Sequence, residues 1–173
     1  MNEELIAVRA LRDQDRIDAR LPAEITPDGR LLLEAHVADL RDRRLPELGA
    51  LLQEPERDER TVVEFESMLL EIAEWEGFLA EAVNAQPDIE EFDGTIALGT
   101  RALVTLADGS EEWVRPVHPR EAFLDDERIS VTSPVGSALI GAKPGDVVSV
   151  NAPTGLWKCS VRSTELVKMK EAT

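Results

Sequence analysis

Two stretches of helical apolar spacing, separated by an octapeptide without a single apolar residue, constrain this chain more than any other feature. The first stretch opens at Thr26-Pro27-Asp28, where Thr26 suits an N-cap, Pro27 the first helical position and Asp28 the positive end of the helix dipole. Apolar residues then recur at Leu33, Val37, Leu40, Leu48, Leu51 and Leu52, with Pro46 expected to kink the helix by removing one backbone donor. The break is Gln53 to Arg60, QEPERDER. A second run follows at Val62, Phe65, Leu69, Ile72, Leu79 and Val83, a heptad-like seam with Glu76 in one gap, and Pro87 is expected to end it. Two helices of similar length joined by a polar turn predict an antiparallel hairpin, and their narrow apolar faces predict a projecting coiled coil rather than a globule.

From Thr95 the period changes from helical to alternating. Ala102–Leu106 and Glu112–Val117 read as strands around the turn Ala107-Asp108-Gly109-Ser110, Arg128–Val131 as a short strand, and Val147–Val150 and Trp157–Val161 as a last pair around Pro153-Thr154-Gly155. Between them, Ser133 as N-cap, Pro134 at the first position and Gly141 as stop mark one short helix. The class expected is therefore α+β: a coiled-coil helical hairpin, then an antiparallel β-sheet domain with one short helix. The divisions expected are an N-terminal extension (1–25), the hairpin (26–87, tip 53–61), an acidic linker (88–94) and the β domain (95–168). In the extension, Leu5, Ile6, Val8 and Leu11 fit one face of a short helix.

Charge narrows the function. Thirty-five acids oppose 19 bases, a net charge of −16, and residues 26–90 alone hold 17 acids against 6 bases. Such a surface repels free nucleic acid, so any role on DNA or RNA must run through a protein partner, a metal ion or a few local bases. The bases of the hairpin are grouped: Arg41, Arg43 and Arg44 on the first helix, Arg57 and Arg60 at the turn. The single cysteine, Cys159, excludes an internal disulfide or a thiolate metal cluster, and two histidines argue against a histidine-rich metal site. The start lacks a secretory h-region and no apolar run approaches membrane-spanning length, so a cytoplasmic protein without a membrane partner is expected. Phe65, Trp75 and Phe78 are expected in the coiled-coil packing, Trp113 and Trp157 in the sheet, Cys159 as an inert strand residue and His118, between Pro116 and Pro119, in a loop.

The run ISVTSPVGSALIGAKPGDVVSVNAPTGLWKCSV, Ile129 to Val161, resembles the C-terminal domain of the GreA/GreB family: a strand, a Ser-Pro helix start, a small-residue helix ending in Leu-Ile-Gly, a Gly-Asp turn and an apolar strand, in that order. Ile25-Thr26-Pro27-Asp28-Gly29 is similar to the opening of the family's first helix, and Arg43-Arg44-Leu45-Pro46-Glu47 to its Arg-Arg-Pro-Glu with one leucine inserted. The resemblance covers about residues 25–168. It implies an FKBP-like β domain held at the rim of the secondary channel of bacterial RNA polymerase, and a coiled coil that enters the channel. It further implies tip carboxylates that share the polymerase's Mg2+ in hydrolysing backtracked RNA, nascent RNA being met only inside that complex, by a monomer that is not itself an enzyme and binds no cofactor alone.

Placing Phe65 on the family's tip tyrosine puts Asp58 on its aspartate and Glu64 on its second glutamate. Thr61 stands where the first glutamate belongs, and Glu59 is the neighbouring acid. Asp58, Glu59 and Glu64 are thus the carboxylates implied for cleavage, Asp58 and Glu59 those for the shared metal, and Arg41, Arg43, Arg44, Ser133 and Pro134 those for polymerase or RNA contact. Two outcomes remain open on this resemblance: stimulated cleavage, or occupancy of the channel that inhibits or modulates synthesis without cleavage. A stand-alone prolyl isomerase and an acidic adaptor outside transcription are the other classes. The isomerase lacks support, because such enzymes need an aromatic-lined proline pocket and the β domain has only Trp113, Phe123 and Trp157 as aromatics, with no tyrosine.

Overall fold

A computed structural model describes residues 23–54, 58–85 and 90–167. The extension's apolar residues, Arg57 and Pro87 lie outside these residues. The chain starts with a two-residue strand β1 (Glu24–Ile25) and enters helix α1 (Pro27–Asp39), with the Thr26 hydroxyl accepting from the Gly29 N–H at 3.1 Å and Pro27 in the first turn. A π-helical segment, Leu40–Arg44, leads into α2 (Leu45–Leu51), and α3 (Glu59–Glu81) returns antiparallel to both. The π turn is the local answer to Leu45-Pro46. Proline has no N–H to continue the ladder, and the Leu45 N–H reaches back five residues to the Leu40 carbonyl. One extra residue is accommodated without ending the helix, so the expected kink takes the form of a widened turn.

The hairpin is sealed by Val37 and Leu40 against Met68 and Ile72, with Leu45, Leu48, Trp75 and Leu79 packed around them. This moves the predicted seam. Leu69 is 44% exposed while Met68 is buried, and Glu76 faces outward to pair with Arg41 at 3.2 Å. Met68, Leu69 and Leu70 are consecutive apolar residues, so spacing alone left the phase of this face open; the position of α1 decides it. The helix also ends earlier than Pro87. Ala82 leaves helical dihedrals, and Val83–Asn84 forms β2, which pairs parallel to β1 through Val83 N–H to the Ala23 carbonyl and Ala85 N–H to the Ile25 carbonyl, both 2.7 Å. The residues just before the first helix therefore close the root of the hairpin, with Ile25 and Leu33 fully buried against Ala82.

The second half is a five-stranded sheet in the order β5-β4-β3-β7-β6, built from β3 (Thr100–Thr105), β4 (Glu111–Val117), β5 (Arg128–Ser130), β6 (Val147–Ala152) and β7 (Gly155–Leu166). Three of its pairings are antiparallel as expected. The fourth is not: β5 runs parallel to β4 because the chain crosses from one to the other through a 3-10 turn, Pro119–Glu121, and not through a tight hairpin. Helix α4 (Pro134–Leu139) packs over the sheet, and Leu139 joins Ile96, Ala102, Val104, Val150, Cys159 and Val161 in the core. Ser133 caps it, accepting from the Gly136 N–H at 3.0 Å, and Gly141 follows with φ 85°.

Candidate functional site

The far end of the hairpin carries the candidate carboxylates. Asp58 has extended dihedrals (φ −81°, ψ 137°) and is the N-cap of α3, its Oδ1 accepting from the Arg60 N–H at 3.0 Å. Glu59 is exposed in the first helical turn, where the helix dipole favours a negative charge. Glu64 lies nearly two turns further along α3, about 9 Å below Asp58 at helical rise. It borders a small cleft of about 220 Å³ with Arg44, Glu47, Leu48, Leu51 and Met68. The three predicted acids therefore do not converge. Among the described residues no group of three or more His, Cys, Asp or Glu side chains is gathered to hold a metal. What Asp58 and Glu59 offer is a pair of hard oxygen donors at the end of a rigid arm, which suits a cation whose other ligands come from elsewhere.

The basic residues behind the tip are largely engaged. Arg43 forms a two-point pair with Asp39 at 2.6 and 2.8 Å, and Arg41 binds Asp42 at 2.8 Å and Glu76 at 3.2 Å. Arg44 turns to the cleft beside Glu64. In the β half, the Ser133 hydroxyl is consumed locally, donating to the Ser130 carbonyl at 2.6 Å while it caps α4; Pro134 beside it is exposed.

The strongest polar geometry lies at the root of the arm, where no sequence motif pointed. The Asp28 carboxylate receives two hydrogen bonds from Arg115, at 2.6 and 2.7 Å, and a third from Arg128 at 2.5 Å. Arg128 also pairs with Asp125. Glu121 is fully buried, and its carboxylate accepts from both the backbone N–H and the hydroxyl of Thr26. Burial alone would raise the Asp28 pKa, but hydrogen bonding and charge from Arg115, the charge of Arg128 and the Thr26 hydroxyl overcome it and hold Asp28 at about 2. At Glu121 burial prevails over the bonds from Thr26, and the carboxyl is pushed up. Alongside runs an aromatic clasp: His36 and Trp75 against Phe123, Phe78 against His118, and the Arg120 guanidinium over Trp75 and Phe78 at 5.1 and 4.9 Å. His118 lies in a loop as expected, between β4 and the 3-10 turn, but it is buried there against Phe78, and its Nδ1 accepts from the Arg120 N–H at 3.2 Å. The Thr26-Pro27-Asp28 opening is legible as a helix start, but nothing in the sequence joins it to Arg115, Glu121 and Arg128.

The family described as "Transcription elongation factor, GreA/GreB, C-term" matches residues 91–165. The transcription elongation factor GreA of Roseiflexus sp. (strain RS-1) is 31% identical over 150 residues, covering 81% of this chain and 95% of that protein. The chain belongs to the GreA/GreB family. A second GreA/GreB relative, the transcription elongation factor GreA of Thermosipho africanus, is 27% identical over 144 residues, 79% of this chain and 92% of that one. Among solved structures, GreA factor homolog 1 of Thermus thermophilus is 29% identical, with 82% of this chain and 97% of that chain covered and a TM-score of 0.37. The chain is thus a transcription elongation factor of the GreA/GreB family, with a helical hairpin and a mixed β-sheet. Among the described residues no helix is long and apolar enough to cross a membrane.

Proposed function

We propose that this chain binds bacterial RNA polymerase, inserts its helical arm into the secondary channel, and regulates elongation by supplying tip carboxylates for Mg2+-dependent cleavage of backtracked RNA. The supporting observation is the exposed pair Asp58 and Glu59 at the end of an arm opposite the β-sheet half. Asp58 and Glu59 would help hold a Mg2+ shared with the polymerase, and that ion would activate water and stabilise charge on the scissile phosphate. The chain's own contribution is placement: the cap fixes the Asp58 backbone, and the helix axis carries both acids away from the sheet.

The test separates capping from chemistry. Asp58→Asn keeps an N-cap acceptor, whereas Asp58→Ala loses it at a cost of about 1 kcal/mol. With backtracked elongation complexes and Mg2+, both variants are expected to slow RNA shortening about a hundredfold, and only Asp58→Ala to lower thermal stability. A wild-type protein that binds core polymerase, slows synthesis and leaves transcripts intact would establish the second reading, channel occupancy without cleavage. That reading draws on Thr61 in the place of the family's first glutamate and on the capping duty of Asp58. Failure to bind core polymerase would defeat both.

A further inference from the structure

The helical arm and the β-sheet half are joined by more than a chain connection, and the joint is built from groups that fix direction. We propose that Asp28 with Arg115 and Arg128, and Glu121 with Thr26, form a latch that holds the arm at one angle to the sheet, so that these are positioning residues for the tip. The functional arm of this inference rests on the polymerase reading above; the latch itself does not.

Lever arithmetic shows why an angle matters. α3 has 23 residues, a length of about 35 Å, so a tilt of roughly 10° at the root displaces the tip by about 6 Å. Chemistry at a shared site is sensitive to displacements of about 1 Å. The latch is suited to prevent that tilt. Asp28 sits in the first turn of α1 and is gripped from two strands, β4 through Arg115 and β5 through Arg128. Arg115 is itself anchored by its Nε–H to the Gly99 carbonyl at 3.2 Å. The aromatic clasp bears on both helices of the arm, on α3 through Trp75 and Phe78 and on α1 through His36, so each helix has its own contact with the sheet half. Buried charge pairs add little net stability compared with apolar packing, but they demand one geometry.

Gly29 gives an independent sign of the same fit. A glycine weakens the first turn of a helix relative to alanine, yet a methyl there would overlap Glu121 Oε1 and lie 2.6 Å from the Thr26 hydroxyl. The missing side chain is the space that Glu121 occupies.

Two variants probe the latch while keeping the Thr26 cap residue: Gly29→Ala, which favours helix and excludes Glu121, and Asp28→Asn, which keeps the shape and removes the charge. Spin labels at Ser67→Cys on the arm and Lys158→Cys on the sheet, both exposed positions, report the angle by pulsed electron resonance; Cys159 is buried and stays in place. The full-length protein is expected to show one narrow distance distribution, and both variants a broadened or displaced one. On elongation complexes, the effect at saturating factor is expected to fall about tenfold or more, while the half-saturating concentration changes less than about threefold. A broad distribution in the unmodified protein, or an unchanged one in both variants, overturns the latch. Broadened distances with an undiminished effect at saturation overturn the positioning role. If the unmodified protein has no effect on polymerase, the polymerase reading falls and the distances alone decide the latch.

Discussion

Replacing Asp28 by alanine is expected to destabilise the protein by about 2–3 kcal/mol, measured by urea unfolding at pH 7. Removing one partner of a buried ion pair costs about 3–5 kcal/mol because the other charge is stranded, and the lower figure reflects the partial exposure of Asp28. Here two guanidinium groups each lose a carboxylate partner, Arg115 keeping the Gly99 carbonyl and Arg128 keeping Asp125. The side chains of Arg115 and Arg128 are 9% and 2% exposed, and Arg128 Nε already lacks a partner, so its remaining N–H groups depend on Asp28 and Asp125. The pH dependence gives a second check. Asp28 is depressed from 3.8 to about 2, so its contribution is present above the unfolded value and is lost as pH falls through the folded one. The stability gap between the unmodified protein and Asp28→Ala should therefore hold above about pH 4 and close as pH approaches 2. Glu121 runs the other way: its raised pKa means that the buried carboxylate costs stability when ionised, and acidification through that range relieves the cost. A gap that stayed constant down to pH 2 would show that Asp28 is not held by the two arginines.

The features legible in the sequence share one property: their determinants are local. Thr26-Pro27 and Ser133-Pro134 announce helix starts within three residues, and both caps form as the spacing predicts. The turn at Asp108-Gly109 is equally local, with Asp108 accepting from the Ser110 N–H at 2.9 Å. What escaped the sequence was fixed from a distance. β1 and β2 are two residues each, too short to carry a period, and exist because they pair with one another. The phase of α3 depends on α1, since Met68, Leu69 and Leu70 all satisfy an apolar pattern. Arg115, Glu121 and Arg128 look like ordinary surface charges, and their partners Thr26 and Asp28 lie 87 to 100 residues away. Buried charge is invisible to hydropathy, which is why the junction, the most tightly bonded part of the candidate machinery, was not foreseen. At the tip the reverse holds. Asp58, Glu59 and Glu64 are easily found by resemblance, but separation along α3 keeps Glu64 away from the other two.

Gly136→Ala is expected to cost at least about 3 kcal/mol, at the upper end of overpacking penalties, and to unfold the β-sheet half first. The added methyl would overlap the Ser130 carbonyl oxygen, and lie 2.9 Å from its carbon and 3.0 Å from the Ser133 hydroxyl. Two of these atoms are backbone and cannot swing aside. That carbonyl also accepts from the Ser133 hydroxyl and the Ser133 N–H, so displacing it breaks the cap of α4. The alternative, lifting α4, withdraws fully buried Leu139 from its seat on the core. Alanine's better helix propensity, worth about 1 kcal/mol, cannot offset either route. Gly141→Ala supplies the contrast. No atom lies within 4 Å of a Cβ at that position, and its φ of 85° is the sole obstacle, so a cost of about 1–2 kcal/mol is expected from backbone conformation alone. Urea unfolding followed by tryptophan fluorescence measures both variants, with a Trp75→Phe background leaving Trp113 and Trp157 to report the sheet. Gly136→Ala within about 0.5 kcal/mol of the unmodified protein would mean that α4 rests loosely on β5. The Ser-Pro helix would then mark a replaceable surface turn, and not the element that fixes the sheet's edge beside the arginines of the latch.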